Sequence, residues 1–118
     1  MTPLFDRIGV CTAFFVEAEG RLLQSWGADT AFLYYRTGLV FNMGGGHVGF
    51  WRGDHLRGLD GGVIVWASGA HVGFVLPDPF PVLTTPQVPP APGHGFIADP
   101  KPKPLDLLDF SSQMFGAW

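Results

Sequence analysis

Residues 38–54 read GLVFNMGGGHVGFWRGD, and residues 62–78 read GVIVWASGAHVGFVLPD. Sliding one onto the other by 24 residues (62 − 38) superposes Gly38, Gly45, His47, Val48, Gly49, Phe50 and Asp54 on Gly62, Gly69, His71, Val72, Gly73, Phe74 and Asp78. In each copy two apolar runs flank a glycine-rich centre. Central turn positions need positive φ, so each copy reads as a β-hairpin. Period-2 alternation puts Val48 and Phe50, and Val72, Phe74 and Leu76, on a core face. His47, Gly49 and Trp51, with His71, Gly73 and Val75, fall on the opposite face.

The chain before the repeat is also strand-like. Ile8 to Val16 is rich in β-branched and aromatic residues and apolar on both faces, the pattern of a strand covered on both sides. In so small a domain the second cover is expected to be another chain. Glu17 to Gly20 is a turn, Arg21 to Trp26 a return strand, and Thr30 to Tyr35 a further β-prone run. Gly53 to Gly61 reads as a polar loop between the two copies. The expected fold is all-β: a small antiparallel meander, barrel or sandwich of about seven strands with a duplicated hairpin.

Beyond Leu76 the composition changes. Ten of the eleven prolines lie in 77–104. Prolines this dense cannot enter a sheet interior, so 77–104 is expected to be an extended arm, with 1–76 as the β-domain. As polyproline II, at about 3.1 Å per residue, such an arm would reach roughly 80–90 Å. Phe80, Val82, Leu83, Val88, Phe96 and Ile97 punctuate it, and a pure spacer would not need these anchors. After Pro104, Leu107, Phe110 and Met114 stand at near-helical spacing, so 105–118 is expected to be a short docking helix, with Trp118 at its far end.

Composition narrows the function classes. Hydrophobic residues make up 47% of the 118 residues and charged residues 14%, against a usual charged share of about 25%. With so little charge to clothe a monomer, the spare apolar surface is expected to lie against copies of itself and neighbouring structural proteins. Net charge is −3 and the basic residues are scattered, which argues against nucleic acid as the partner. MTPLFDRIG carries an acid and an arginine where a secretory signal would be apolar, and no apolar run approaches the ~20 residues of a membrane helix. Cys11 is the only cysteine, so no internal disulfide staples the fold.

Four constellations suggest chemistry. His47 to Phe50, HVGF, resembles the histidine strand of the NlpC/P60 and CHAP cysteine peptidases and amidases. That resemblance covers four residues and implies Cys11 as nucleophile and His47 as base. GVCTAFF around Cys11 reads as a strand rather than a helix start that would lower the thiol pKa, and the duplication accounts for HVGF as a packing unit used twice. His47, His55 and His71 with Asp54 and Asp60 are zinc-ligand types, but the two repeated histidines lack closely spaced partners. Trp26, Trp51, Trp66, Tyr34 and Tyr35 would suit a sugar platform, making a glycan possible; they equally suit a core or interface. Gly44 to Gly46 lacks the Lys-Ser/Thr of a phosphate loop.

The sequence therefore predicts a structural assembly protein without catalytic residues, metal or cofactor. It would oligomerise through its β-faces and lock neighbours with its arm, as components of virus or phage particles do (capsid decoration, tail or baseplate). The alternative is a glycan- or protein-binding β-module, with His47, Trp51 and His71 as the candidate ligand face, and a Cys/His hydrolase comes third.

Overall fold

A computed structural model describes residues 1–25, 38–90 and 97–118, and the backbone alone of 29–34. Eight antiparallel strands follow in chain order: β1 (Thr2–Phe5), β2 (Cys11–Val16), β3 (Arg21–Gln24), β4 (Asp29–Tyr34), β5 (Leu39–Asn42), β6 (His47–Trp51), β7 (His55–Gly58) and β8 (Val63–Trp66). Each pairs with the next, and β8 returns to β1 to close a barrel. The closing pair is slight, registered through Phe5 and Trp66.

The barrel is a ring of four hairpins made to one plan. β1–β2, β3–β4, β5–β6 and β7–β8 each carry a register break at the same step: Phe5↔Cys11, Leu23↔Asp29, Phe41↔His47 and Arg57↔Val63. The residue skipped on the second strand is Thr12, Thr30, Val48 or Ile64. Successive hairpins are offset by 18, 18 and 16 residues (23 − 5, 41 − 23, 57 − 41). A bulge of this kind bends the strand and increases its twist, which lets such short hairpins curl into a closed ring.

Side chains facing the barrel axis repeat with the same offsets. Leu4, Leu22, Val40 and Leu56 are each 0% exposed. They pair with Ala13, Ala31, Gly49 and Val65. Opposing a large residue with a smaller one in most pairs suits a narrow barrel. Gly49 is required here: a Cβ would stand 2.5 Å from the Arg57 carbonyl oxygen of the next hairpin. One step further along the axis, Phe15 stacks on Trp51 at 4.6 Å between centroids.

The 24-residue duplication is out of step with this ring. By position in the barrel, residues 38–54 correspond to 54–70. β7 occupies part of the stretch expected to be a loop, and β1 lies ahead of the first expected strand. The second HVGF, His71 to Phe74, forms no strand and lies outside the ring. It brings Val72 and Phe74 onto a second cluster with Phe5, Val63 and Trp66 on the barrel's outer face. The face assignment changes too. The bulge at Val48 interrupts the alternation, so Gly49 and Trp51 point inward, and Phe50 is buried on the outside.

Two expectations about the chain after Leu76 also change. No helix forms over 105–118; the segment is irregular, with one parallel bridge between Val63 and Phe110. Leu107, Phe110 and Met114 are held by backbone and aromatic contacts instead of helical spacing. The arm does not reach outward either, since the whole molecule measures 37 × 34 × 23 Å. It turns back along its own barrel, and Pro81 to Thr84 lie beside Cys11 and Phe14. The second cover expected on β2 is thus supplied by the same chain. Phe96 lies outside the described residues, as do Trp26, Tyr35 and the side chain of Tyr34.

The axial layer carries the barrel's stability. Leu22→Ala should cost about 2–5 kcal/mol, the usual range for an enclosed leucine. Ile8→Ala, at a residue 63% exposed, should stay within about 0.5 kcal/mol of the parent. Denaturant unfolding followed by tryptophan fluorescence measures both.

Candidate functional site

One end of the barrel carries the four turns within the hairpins. Two are built by a short polar side chain three residues before a glycine. The Asp6 carboxylate accepts the amides of Ile8 and Val10 at 3.0 Å each, and Asn42 Oδ1 accepts the amide of Gly46 at 2.9 Å. The glycines that follow take positive φ: 89° at Gly9, 90° at Gly45 and 86° at Gly61. Each turns its carbonyl outward to the arm. Gly9 O accepts from Phe80 N at 2.9 Å, Gly45 O from Ala98 N at 2.8 Å and Gly61 O from Leu107 N at 3.0 Å. Gly27, at the corresponding sequence position, lies outside the described residues. Among the described residues the arm therefore meets three of the turns, in hairpin order, along this end of the barrel.

After Leu107 the chain moves to the mouth inside the ring. Ser111 N donates to Val63 O, and Val63 N donates to Asp109 O. Gln113 is held at both ends of its amide: Oε1 accepts from Leu59 N at 2.6 Å, and Nε2 donates to Val48 O at 3.2 Å. Phe115 and Trp118 pack against the axial core and edge-on against each other at 5.3 Å. The segment is a plug.

Arg57 joins ring, plug and barrel. It stands where the other three hairpins have Phe5, Leu23 and Phe41, and is 4% exposed. Its guanidinium donates to Gly61 O at 2.7 Å, Leu107 O at 2.8 Å, Val72 O at 3.0 Å and His55 Nε2 at 3.1 Å. Its nearest carboxylate, Asp106, stays 3.6 Å away and forms its closer bond, 2.7 Å, with Arg52. Burial pulls the Arg57 pKa down, Asp106 draws it back, and arginine remains charged.

The His47 and His55 rings are satisfied structural groups. His55 accepts from Arg57 at Nε2, so its proton sits on Nδ1 and is donated to Asp54. The other Asp54 oxygen accepts the backbone amide of His71 at 2.9 Å. His47 accepts the amide of Lys101 at Nδ1, 2.8 Å, which fixes its proton on Nε2, donated to Gly49 O at 2.9 Å. His47, Trp51 and His71 therefore share no partner. His47 clasps the arm, Trp51 lies on Phe15, and the exposed His71 is anchored by its backbone. Among the described residues, no three His, Cys, Asp or Glu side chains cluster as metal ligands. Cys11 is half-buried, its Sγ 3.4 Å from Ala13 O. Burial raises its pKa, the reverse of an activated thiol.

The anchors divide into inward and outward residues. Val82 joins the outer cluster, and Phe110 meets Phe74 edge-on at 5.2 Å. Ile97 and Trp118 are half-buried; Phe80, Leu83, Leu107 and Met114 are exposed. Sequence reading missed Arg57 and Gln113, and took Asp54 and Asp60 only as metal-ligand types. Asp60 is a second tie, accepting from Gly62 N and from both Ser111 and Ser112. Burial alone would raise its pKa, but these bonds outweigh it and hold it low. The available signal for Arg57 was a cation at a strand position that is apolar in the other three hairpins.

A family model described as "4-fold beta flower protein" matches residues 2–118, a description that suits the four hairpins. No curated protein and no solved structure matches the chain.

Two predictions follow from the ties. Arg57→Met removes the Arg57 donor from the Leu107 and Val72 carbonyls and from His55 Nε2, while the Gly61 carbonyl keeps the Leu107 amide. The substitution should cost about 3 kcal/mol or more and speed amide exchange at Leu107; a variant as stable as the parent would refute the hub. Burial is the main cause holding His47 and His55 below the ordinary imidazole range. Their folded pKa values lie below the unfolded value of about 6.5, so their contribution is complete above that pH. It is lost as pH falls through the folded values. The unfolding midpoint should therefore drop between about pH 7 and 5, with a shallower slope in His47→Gln.

Proposed function

The chain belongs to the 4-fold beta flower family, and from that premise we propose that it is a structural assembly protein. In this reading it meets copies of itself and neighbouring structural proteins through the outward side of its arm. The observation that carries the reading is the apolar skin of that arm. Leu83 is 90% exposed, Leu105 89%, Leu108 71% and Phe80 58%. Scattered exposed apolar residues are ordinary on a monomer. Here six of the ten large ones exposed among the described residues lie between Phe80 and Met114, in a chain whose charged share is 14%.

The backbone beneath them is fixed. Phe80 and Leu107 are bonded to turn carbonyls, and the Leu105 carbonyl sits so close over Gly61 that a Cβ there would collide with it. A surface already held in place loses little further entropy on association. The arm would then lock neighbours by presenting apolar side chains from a rim secured to its own barrel. The setting proposed is a virus or phage particle, as a capsid decoration, tail or baseplate component, on an analogy of architecture.

Size-exclusion chromatography with light scattering on the full chain tests the proposal. The parent should run as a defined homo-oligomer. Leu105→Asp combined with Leu108→Asp should shift it toward monomer while leaving the unfolding midpoint within about 0.5 kcal/mol of equivalence. A parent that stays monomeric at every salt concentration would rule out self-assembly.

A further inference from the structure

Between the plug and the first and fourth hairpins lies a cavity of about 280 Å³. Its apolar wall is made by Ile8, Val63, Ile64, Val65, Met114 and Phe115. Five polar residues complete the lining, and most of their bonding capacity is used. Asp6 Oδ1 accepts two amides of its own turn. Ser111 donates its hydroxyl to Asp60, and both ends of the Gln113 amide are bonded.

Two groups stand apart. Arg7, exposed at the rim, spends one Nη on Ser111 O at 2.7 Å and makes no ion pair among the described residues. Thr12, the bulged residue of the first hairpin, has a buried Oγ1 with no hydrogen-bond partner. An unmet buried hydroxyl costs about 1–3 kcal/mol. An apolar chamber with an uncompensated guanidinium at its edge matches an amphipathic anion.

We propose that this cavity binds a small apolar carboxylate. The chain would lie against Ile64, Val65 and Phe115, and the head group would bond to the free donors of Arg7. The size is appropriate: an apolar cavity of roughly 150 Å³ holds benzene, so this one accommodates a chain on the order of eight carbons. The site is independent of the arm's outward face, and its occupancy can be read whatever the oligomeric state.

The test is a titration of the isotope-labelled full chain with octanoate, octan-1-ol and butyrate, followed by amide chemical shifts. Octanoate should move the amides of Thr12, Ile64 and Phe115 and bind more tightly than octan-1-ol or butyrate. Arg7→Gln, a change at an exposed side chain, should weaken octanoate about tenfold or more, the weight of a charge-assisted hydrogen bond, and leave octan-1-ol unchanged. The proposal is overturned if octanoate leaves those amides unmoved below its micelle-forming range. It is equally overturned if octan-1-ol matches octanoate in the parent, or if Arg7→Gln binds octanoate as the parent does.

Discussion

The buried guanidinium of Arg57 is the constraint on which the rest depends. A charge so enclosed is stable only when its donors are met, and Arg57 meets them with neutral acceptors from four separate places. Gly61 belongs to a turn, Leu107 to the arm, Val72 to the segment that leaves the ring, and His55 to its own strand. The bond to Leu107 forms only once the arm has come round the barrel. The charge thereby ties the arm to the fold, although its composition resembles that of a linker.

The same residue explains why one hairpin differs from the others. Three of the four positions carry Phe5, Leu23 and Phe41, which suit an apolar outer layer. In the fourth hairpin the chain has to fasten itself, and directional bonds do that more specifically than contact area. His47 works similarly in the third hairpin, where its ring links Gly49 to Lys101. Polar side chains appear at the ring's outer positions where the returning chain must be held in one register.

Much of this fold could be read from the sequence, and the failures have physical causes. The all-β class followed from β-branched and aromatic runs punctuated by glycine, but the last strand ends at Trp66, short of the boundary expected at Leu76. The true repeat stayed hidden because its steps are 18, 18 and 16 residues and its shared features are slight: one axial apolar residue, one glycine, one bulge. The stronger literal match, HVGF, aligns a strand with a segment that leaves the ring. Alternation failed at Val48 because a bulge adds a residue that period-2 counting cannot see. The helix expected around Leu107 failed because those amides and carbonyls are already claimed by Gly61 and Arg57. His47 and His71 look equivalent in sequence, and only the arm's path shows that one clasps it and the other does not.

The spiral course of the arm also bears on how the protein comes to be folded. The contacts that close the mouth join residues far apart along the chain: Arg7 with Ser111 across 104 positions, Val48 with Gln113 across 65 and Trp66 with Asp6 across 60. Such topology gives a high contact order, and folding rate falls as contact order rises. During synthesis the eight strands emerge before the segment that seals them. For that interval the ring has an open mouth, an Arg57 lacking its Leu107 acceptor and bare aromatic rings on its outer face. Nascent chains crowded on one message would then meet each other before each meets its own arm, and the same arm that completes one barrel is chemically able to complete its neighbour's.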